Sequence, residues 1–254
     1  MKQEQVSYKK PWYNVEGGRY NGSEPPFYDP KQLPWVPLFE DNWEVMRDEL
    51  MALMEEKPKR LQPYFINKGM SFPPRHWKTM GLYFWNYTMH KNCRKCPKTV
   101  ALLKTIPGLT SFSVSVLEAE SNINPHQGDT DAIYRCHLGI SIPEGLPNCG
   151  FQVSKELRPW EEGKVLPFCD AQTHTAWNHT SQRRTILIFD IMRPEYVSRQ
   201  NRICAHVLAS AILQMLYQNF PFLGRRSGYI KSTLYHLSRI VILGVLPIQR
   251  ILSF

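Results

Sequence analysis

The middle of the chain alternates. The runs FSVSV (112–116), YRCHLGISI (134–142), KVLPF (164–168) and TILIFDI (185–191) carry β-branched or aromatic residues at every second place, the period of a half-buried strand. Pro, Gly, Asn and Asp punctuate the gaps between them, as turns require. Ahead of this stretch the period changes. Trp43, Met46, Leu50, Leu53 and Met54 recur at helical spacing and predict a helix whose apolar stripe packs on the strands. Asp41 is expected to open that helix, with Glu44 in capping-box spacing, and Pro58 to end it. Pro97 is expected to start a second helix, closed by Gly108. Residues 71–92 are aromatic and partly basic, and read either as a strand pair framing the mouth of a site or as one side of the core.

Polar residues inside these apolar runs carry the first chemical information. Ser115, Arg135, His137 and Arg184 all sit within predicted strands. A polar group on a buried face must be paired, and an arginine there seeks an anion. His126 and His174 lie where strand-like runs end or begin. A lone histidine there is usually a hydrogen-bonded surface residue. Two of them in one antiparallel core, beside two arginines, suggest a metal next to a small dicarboxylic ligand. Imidazole serves Fe, Zn, Cu and Ni, so the pair by itself does not choose the metal.

Five motifs then stand in order: NPHxG at Asn124–Gly128, RCHLG at Arg135–Gly139, WEEGK at Trp160–Lys164, HTAWN at His174–Asn178 and RPE at Arg193–Glu195. Together they resemble the aspartyl/asparaginyl β-hydroxylase family of Fe(II)- and 2-oxoglutarate-dependent oxygenases, over about residues 77–196. The resemblance implies a mainly β fold with flanking helices, a double-stranded β-helix of the jelly-roll or cupin kind. It implies that His126 and His174 bind iron and that Arg184 pairs with the far carboxylate of 2-oxoglutarate. It implies co-substrate contacts for Ser115, Arg135 and His137. Trp77 is the nearest match to a tryptophan that also contributes in the family. The carboxylate that most such oxygenases carry two places after the first histidine is replaced by Gly128. Asp129 reads as a solvated loop residue or a neighbour of the ligands, with a one-residue bulge onto the metal as the alternative.

Composition sets the remaining bounds. The 254 residues, 43% apolar, suffice for one catalytic domain with attachments. The expected division is an extended arm over residues 1–38, a β-hydroxylase-like domain over 39–196 and a basic, apolar helical tail over 197–254. Cys93 and Cys96 form one C-x-x-C with no second pair, so a zinc ribbon is unsupported and reduced thiols are expected. The polar, aromatic start of the chain does not read as a signal peptide, which makes the cytoplasm the expected compartment. Glu118 and Glu120 read as a solvated strand end, not an acid/base pair.

The net charge of +9 is concentrated at the end: after Glu195 there is no Asp or Glu, while Arg199, Arg202, Arg225, Arg226, Lys231, Arg239 and Arg250 are basic. The uncharged run from Ile203 to Gly224 is about long enough to cross a bilayer, where roughly 20 residues are needed. His206, Gln214, Gln218, Asn219 and Pro221 argue against a true span. The tail is therefore expected at the inner face of a membrane, peripheral or anchored, with packing on the β-core as the simpler alternative. Its basic residues alternate with aliphatics rather than aromatics, so no nucleic acid is expected. The favoured function is hydroxylation of an unactivated carbon in a membrane-lipid acyl chain. Asp or Asn in a peptide is the alternative substrate, and a non-catalytic β-barrel binding protein is the alternative class.

Overall fold

The structure, a computed structural model, describes residues 10–64 and 69–252; the first nine residues of the expected arm and the last two of the tail lie outside the described residues. Twelve strands are described: β1 Gln62–Pro63, β2 Ser71–Phe72, β3 Trp77–Phe84, β4 Tyr87–Thr88, β5 Leu109–Leu117, β6 Ser121–His126, β7 Ile133–Ser141, β8 Cys149–Val153, β9 Glu156–Arg158, β10 Val165–Phe168, β11 His174–Asn178 and β12 Arg184–Met192. The helices are α1 Val36–Asp41, α2 Trp43–Glu56, α3 His90–Cys93, α4 Pro97–Lys104, α5 Gln200–Asn219, α6 Pro221–Gly224 and α7 Gly228–Leu252.

The strands form two antiparallel sheets. The major sheet runs β1-β3-β5-β12-β7-β10, with β4 added to β3; the minor sheet runs β2-β6-β11-β8-β9. Facing sheets built this way, with helices outside, make the double-stranded β-helix that the motifs imply. The alternation read from the sequence decides what each face carries. In β5, Phe112, Val114 and Val116 point away from the barrel and are fully buried against Met46, Leu50, Leu53 and Phe39 of α1 and α2. Ser111, Ser113 and Ser115 point inward. In β12, Leu187 and Phe189 join the helical layer, while Arg184, Ile186, Ile188 and Asp190 face the interior. Between the sheets a second apolar cluster gathers Ile123, Phe151, Val153, Phe168, Ala176 and Ile186.

Gly139 marks where a loop closes on the sheet. A Cβ there would meet the Glu161 carbonyl oxygen, and the Gly163 amide donates to the Gly139 carbonyl at 2.9 Å. Only glycine leaves room for that approach. The loop that makes this contact also carries Trp160, which is buried in the cluster with Phe151 and Phe168.

One start differs from the sequence reading. Asp41 ends α1 instead of opening α2, and Asn42 stands between the two helices. The Asn42 side chain donates backwards to the Leu38 carbonyl at 2.9 Å, so it closes α1 and no capping box forms. The apolar stripe is as expected: Met46, Leu50, Leu53 and Met54 are buried.

The arm from Lys10 runs across strand ends, pairing Tyr13 with Thr130 and Phe27 with Phe168. Helix α5 packs against the same end of the barrel, where Ile203, Val207 and Leu208 meet Trp85, Ile133, Met192 and Tyr13. Among the described residues no helix is long and apolar enough to cross a membrane. All six cysteines are free and buried.

The Phe189 ring stacks on Phe39 at 3.8 Å between centroids and couples the major sheet to α1. Phe189→Ala is expected to cost about 3–5 kcal/mol, read by urea unfolding. A loss below about 1 kcal/mol would mean that the helical layer does not hold the sheet.

Candidate active site

The β6–β11 pairing places His126 directly opposite His174. Their ring centroids are 4.2 Å apart. Each Nδ1 is committed to a backbone carbonyl, His126 to Asn124 at 2.9 Å and His174 to Gln172 at 2.8 Å. A carbonyl only accepts, so each Nδ1 carries the proton and each Nε2 keeps its lone pair. Burial pushes His126 down to about 4. Burial and the neighbouring His126 hold His174 well below the usual imidazole range. Two neutral imidazoles with free Nε2 lone pairs could together hold a metal ion.

A carboxyl group from another loop occupies the space that a side chain at position 128 would take. A Cβ on Gly128 would fall on the Asp170 carboxyl group. The Gly128 amide donates to the Asp170 carbonyl at 2.8 Å, and the Asp129 amide to Asp170 Oδ2 at 3.1 Å. Asp170 Oδ1 lies 3.8 Å from His174 Nε2. At that distance Asp170 neighbours the imidazoles without joining them, and no cluster of three or more His, Cys, Asp or Glu poised to hold a metal ion forms among the described residues. It is the Asp129 backbone amide that engages Asp170.

Arg135 sits between the carboxylates. Its Nε and Nη2 donate to Asp190 at 2.7 and 2.9 Å, and its Nη1 to Asp170 at 2.7 Å. Burial opposes its charge, yet Asp170 and Asp190 raise its pKa well above the ordinary value. Burial pushes Asp170 upward against the pull of Arg135, with Asp190 and Asp129 adding to the rise. One guanidinium thus faces three carboxylates. This carboxyl-rich wall beside two neutral imidazoles suits a divalent cation, whose charge would favour the ionised form of Asp170 that burial opposes.

Arg184 is the opposite case. It is 1% exposed, and its Nε and Nη1 have no hydrogen-bond partner. Its guanidinium lies 4.7 Å from the Trp160 ring centroid, and burial lowers its pKa to about 10. It therefore stays charged at neutral pH with donors unspent, which suits a carboxylate.

Two tryptophans fix the remaining polar groups. Trp77 Nε1 donates to Ser115 Oγ at 3.0 Å, leaving the serine proton to point elsewhere. Trp160 Nε1 donates to His137 Nδ1 at 3.1 Å. His137 therefore carries its proton on Nε2, and burial together with Arg184 keeps it neutral. Ser115, His126, Arg135, His137, His174 and Arg184 all line one cavity. Sequence reasoning had no role for Asp170, Asp190 or Trp160. Asp190 was visible as the acid within TILIFDI, whereas Asp170 lies in a loop with no periodic signal.

A second cavity of about 400 Å³ opens from His126 past Thr79, Gly81, Ser111 and Ser113 to Asn14 and Gln214. Its size is in the range of small-ligand sites.

The chain is similar to named hydroxylases. The family model for Aspartyl/Asparaginyl beta-hydroxylase matches residues 40–194. The ornithine lipid ester-linked acyl 2-hydroxylase of Rhizobium tropici is 32% identical over 172 residues, 67% of this chain and 61% of that protein. The aspartyl/asparaginyl beta-hydroxylase of Homo sapiens is 31% identical over 206 residues, 77% of this chain and 26% of that protein. The aspartate beta-hydroxylase domain-containing protein 2 of Mus musculus is 30% identical over 220 residues, 76% of this chain and 63% of that protein. The chain thus spans less than two thirds of each of these relatives.

Asp170→Ala strands a largely buried Arg135 donor and is expected to cost about 1–3 kcal/mol in urea unfolding. Asp170→Asn keeps an acceptor and should cost less than half of that. Equal losses in the two variants would contradict the pairing.

Proposed function

The chain belongs to the aspartyl/asparaginyl β-hydroxylase family, and from that premise we propose that it is an Fe(II)- and 2-oxoglutarate-dependent hydroxylase. The observation that carries this reading is Arg184: a buried cation with unspent donors, in the same cavity as two free imidazole lone pairs. A non-catalytic binding protein would have no need of both. Bound iron, with 2-oxoglutarate and O₂, supplies the oxidant that breaks an unactivated C–H bond while the co-substrate is converted to succinate and CO₂.

The chain's own groups would divide the work. His126 and His174 offer Nε2 to the metal, with Nδ1 locked so that the rings cannot turn away. Asp170, held by Arg135, accepts hydrogen bonds beside His174. Arg184 takes the far carboxylate, with Trp160 covering the guanidinium face. His137 Nε2 and the Ser115 hydroxyl offer protons to oxygens in the same cavity. Arg135 lines that cavity too, but with three of its N–H groups on Asp170 and Asp190 its main task is to position Asp170. Phe151, Phe168, Trp160 and Ile186 exclude water around the co-substrate end.

The favoured substrate is an acyl chain of a membrane lipid. Support comes from the lipid-hydroxylase relative and from the cavity beside His126, which has room for several carbons. The second reading, β-hydroxylation of Asp or Asn in a peptide, is supported by the human relative. The test is mass spectrometry for a gain of one oxygen after incubation with Fe(II), ascorbate and 2-oxoglutarate, with a membrane-lipid extract in one reaction and Asp/Asn peptides in another. Oxygen on a lipid chain supports the favoured reading, and oxygen on a peptide supports the second. Absence of succinate in both overturns the catalytic reading.

Two variants check the roles. His174→Ala is expected to abolish Fe(II) binding and succinate formation together; unchanged succinate would refute the metal pair. Arg184→Lys should raise the KM for 2-oxoglutarate by about 10- to 100-fold with Fe(II) affinity unchanged, because lysine cannot reproduce the paired donors. An unchanged KM would refute the clamp.

A further inference from the structure

Helix α7 wears its apolar face on the outside. Its inner side is fixed to the body: Leu246 is buried, Ile242 and Leu243 pack against the α5 cluster, Tyr235 donates to the His206 carbonyl at 3.4 Å, and Gln249 donates to the Thr88 carbonyl at 3.0 Å. On the opposite side Ile230, Leu237, Ile240, Val241, Val245 and Ile248 are exposed, Ile240 and Val241 each by 65%. The other exposed positions between Ile230 and Ile248 are Ser232, Thr233, His236, Gly244 and Pro247, and none of these is Lys, Arg, Asp or Glu. A helix on a water-facing surface normally shows the reverse pattern. An exposed apolar stripe running most of the length of a helix about 37 Å long marks a contact surface.

The charges around this face choose its occupant. Lys231 and Arg239 sit half-buried on its flank, lining the groove towards α5. Arg225 and Arg226 are exposed at its N-terminal end, beside exposed Phe220 and Phe222. No Asp or Glu follows Glu195, so two α7 faces brought together would set arginine near arginine with no carboxylate of their own to offset it. An anionic lipid surface offers both an apolar layer and the matching charge.

We propose that the outer face of α7 docks the protein on an anionic bilayer, lying in the plane of the head groups. The helix is not a detachable anchor, since its inner side belongs to the fold. The α5–α7 groove behind this face adjoins the active-site cavity, since Gln214 lines both. The inference goes beyond the catalytic reading and does not depend on it, because binding to vesicles is measured without turnover.

The experiment is flotation of the full chain with vesicles of phosphatidylcholine, with and without phosphatidylglycerol. The chain is expected to float with the anionic vesicles and to be released as salt rises. Arg225→Gln with Arg226→Gln should weaken that partition about tenfold or more. Ile240→Asp with Val241→Asp should weaken it at least as much, with an unchanged melting temperature, because both side chains are exposed. Failure to bind anionic vesicles, equal binding to neutral ones, or indifference to the aspartate pair would each overturn the proposal. So would a dimer in solution that the aspartate pair dissociates while no vesicle binding is seen.

Discussion

Strand β12 is hydrogen-bonded along both edges, to β5 and to β7, and its period of two sets the whole interior. In register, Ser113, Ile188 and His137 form one row across three strands, and Ser111, Asp190 and Arg135 form the next. The outward residues of the same strands are Phe112, Val114, Leu138, Leu187 and Phe189, which hold α1 and α2. A slip of one residue would exchange the two sets. It would drive Arg184 and Asp190 into the helical layer and turn phenylalanine into the cavity. The burial of the helical layer therefore enforces the register that assembles the polar site.

Within that register the two arginines have opposite electrostatic settings. Arg135 is bound by two carboxylates, whereas Nε and Nη1 of Arg184 find no hydrogen-bond partner among the described residues. A buried guanidinium without an acceptor costs folding free energy, and the surrounding rings replace only part of what water would give it. Carboxyl groups crowd one end of the cavity and an unspent guanidinium lies at the other. The end beside His126 and His174 is suited to a cation, and the end beside Trp160 to an anion. On the proposed function, a ligand bridging a metal and the guanidinium would satisfy both ends at once, a reason for such a fold to favour a dicarboxylic co-substrate.

Much of this was legible in the residues. Alternation identified the central strands, and polar residues at inward phase pointed to Ser115, Arg135, His137 and Arg184. Two things were not. Asp170 comes from a turn between β10 and β11, where neither period nor motif distinguishes it, and only the collision with a Cβ at position 128 reveals what the glycine is for. The pairing of Trp160 with His137 joins residues from different elements, so the tautomer of His137 cannot be read along the chain. The same limit applied at Asp41, where local spacing suggested a cap but a preceding helix had already claimed the residue. The apolar tail divides in a way that composition could not show: α5 spends its apolar side chains on the barrel end, while α7 leaves half of its own outside.

Side-chain size along the inner rows completes the separation of tasks. Around Arg184 the walls are Trp160, Phe151 and Ile186, which leave little room beyond a compact ligand. Moving along β3 and β5, the inward residues shrink to Thr79, Gly81, Ser113 and Ser111. Serine and glycine in central strands weaken a sheet on propensity alone, and the loss is tolerable here because Phe112, Val114 and Val116 anchor the same strand from its other face. The strand is stabilised from outside so that its inside can be left small. On the proposed function, that taper would offer a tightly walled end to the co-substrate and a more open end to the molecule to be oxidised, with His126 lining both cavities.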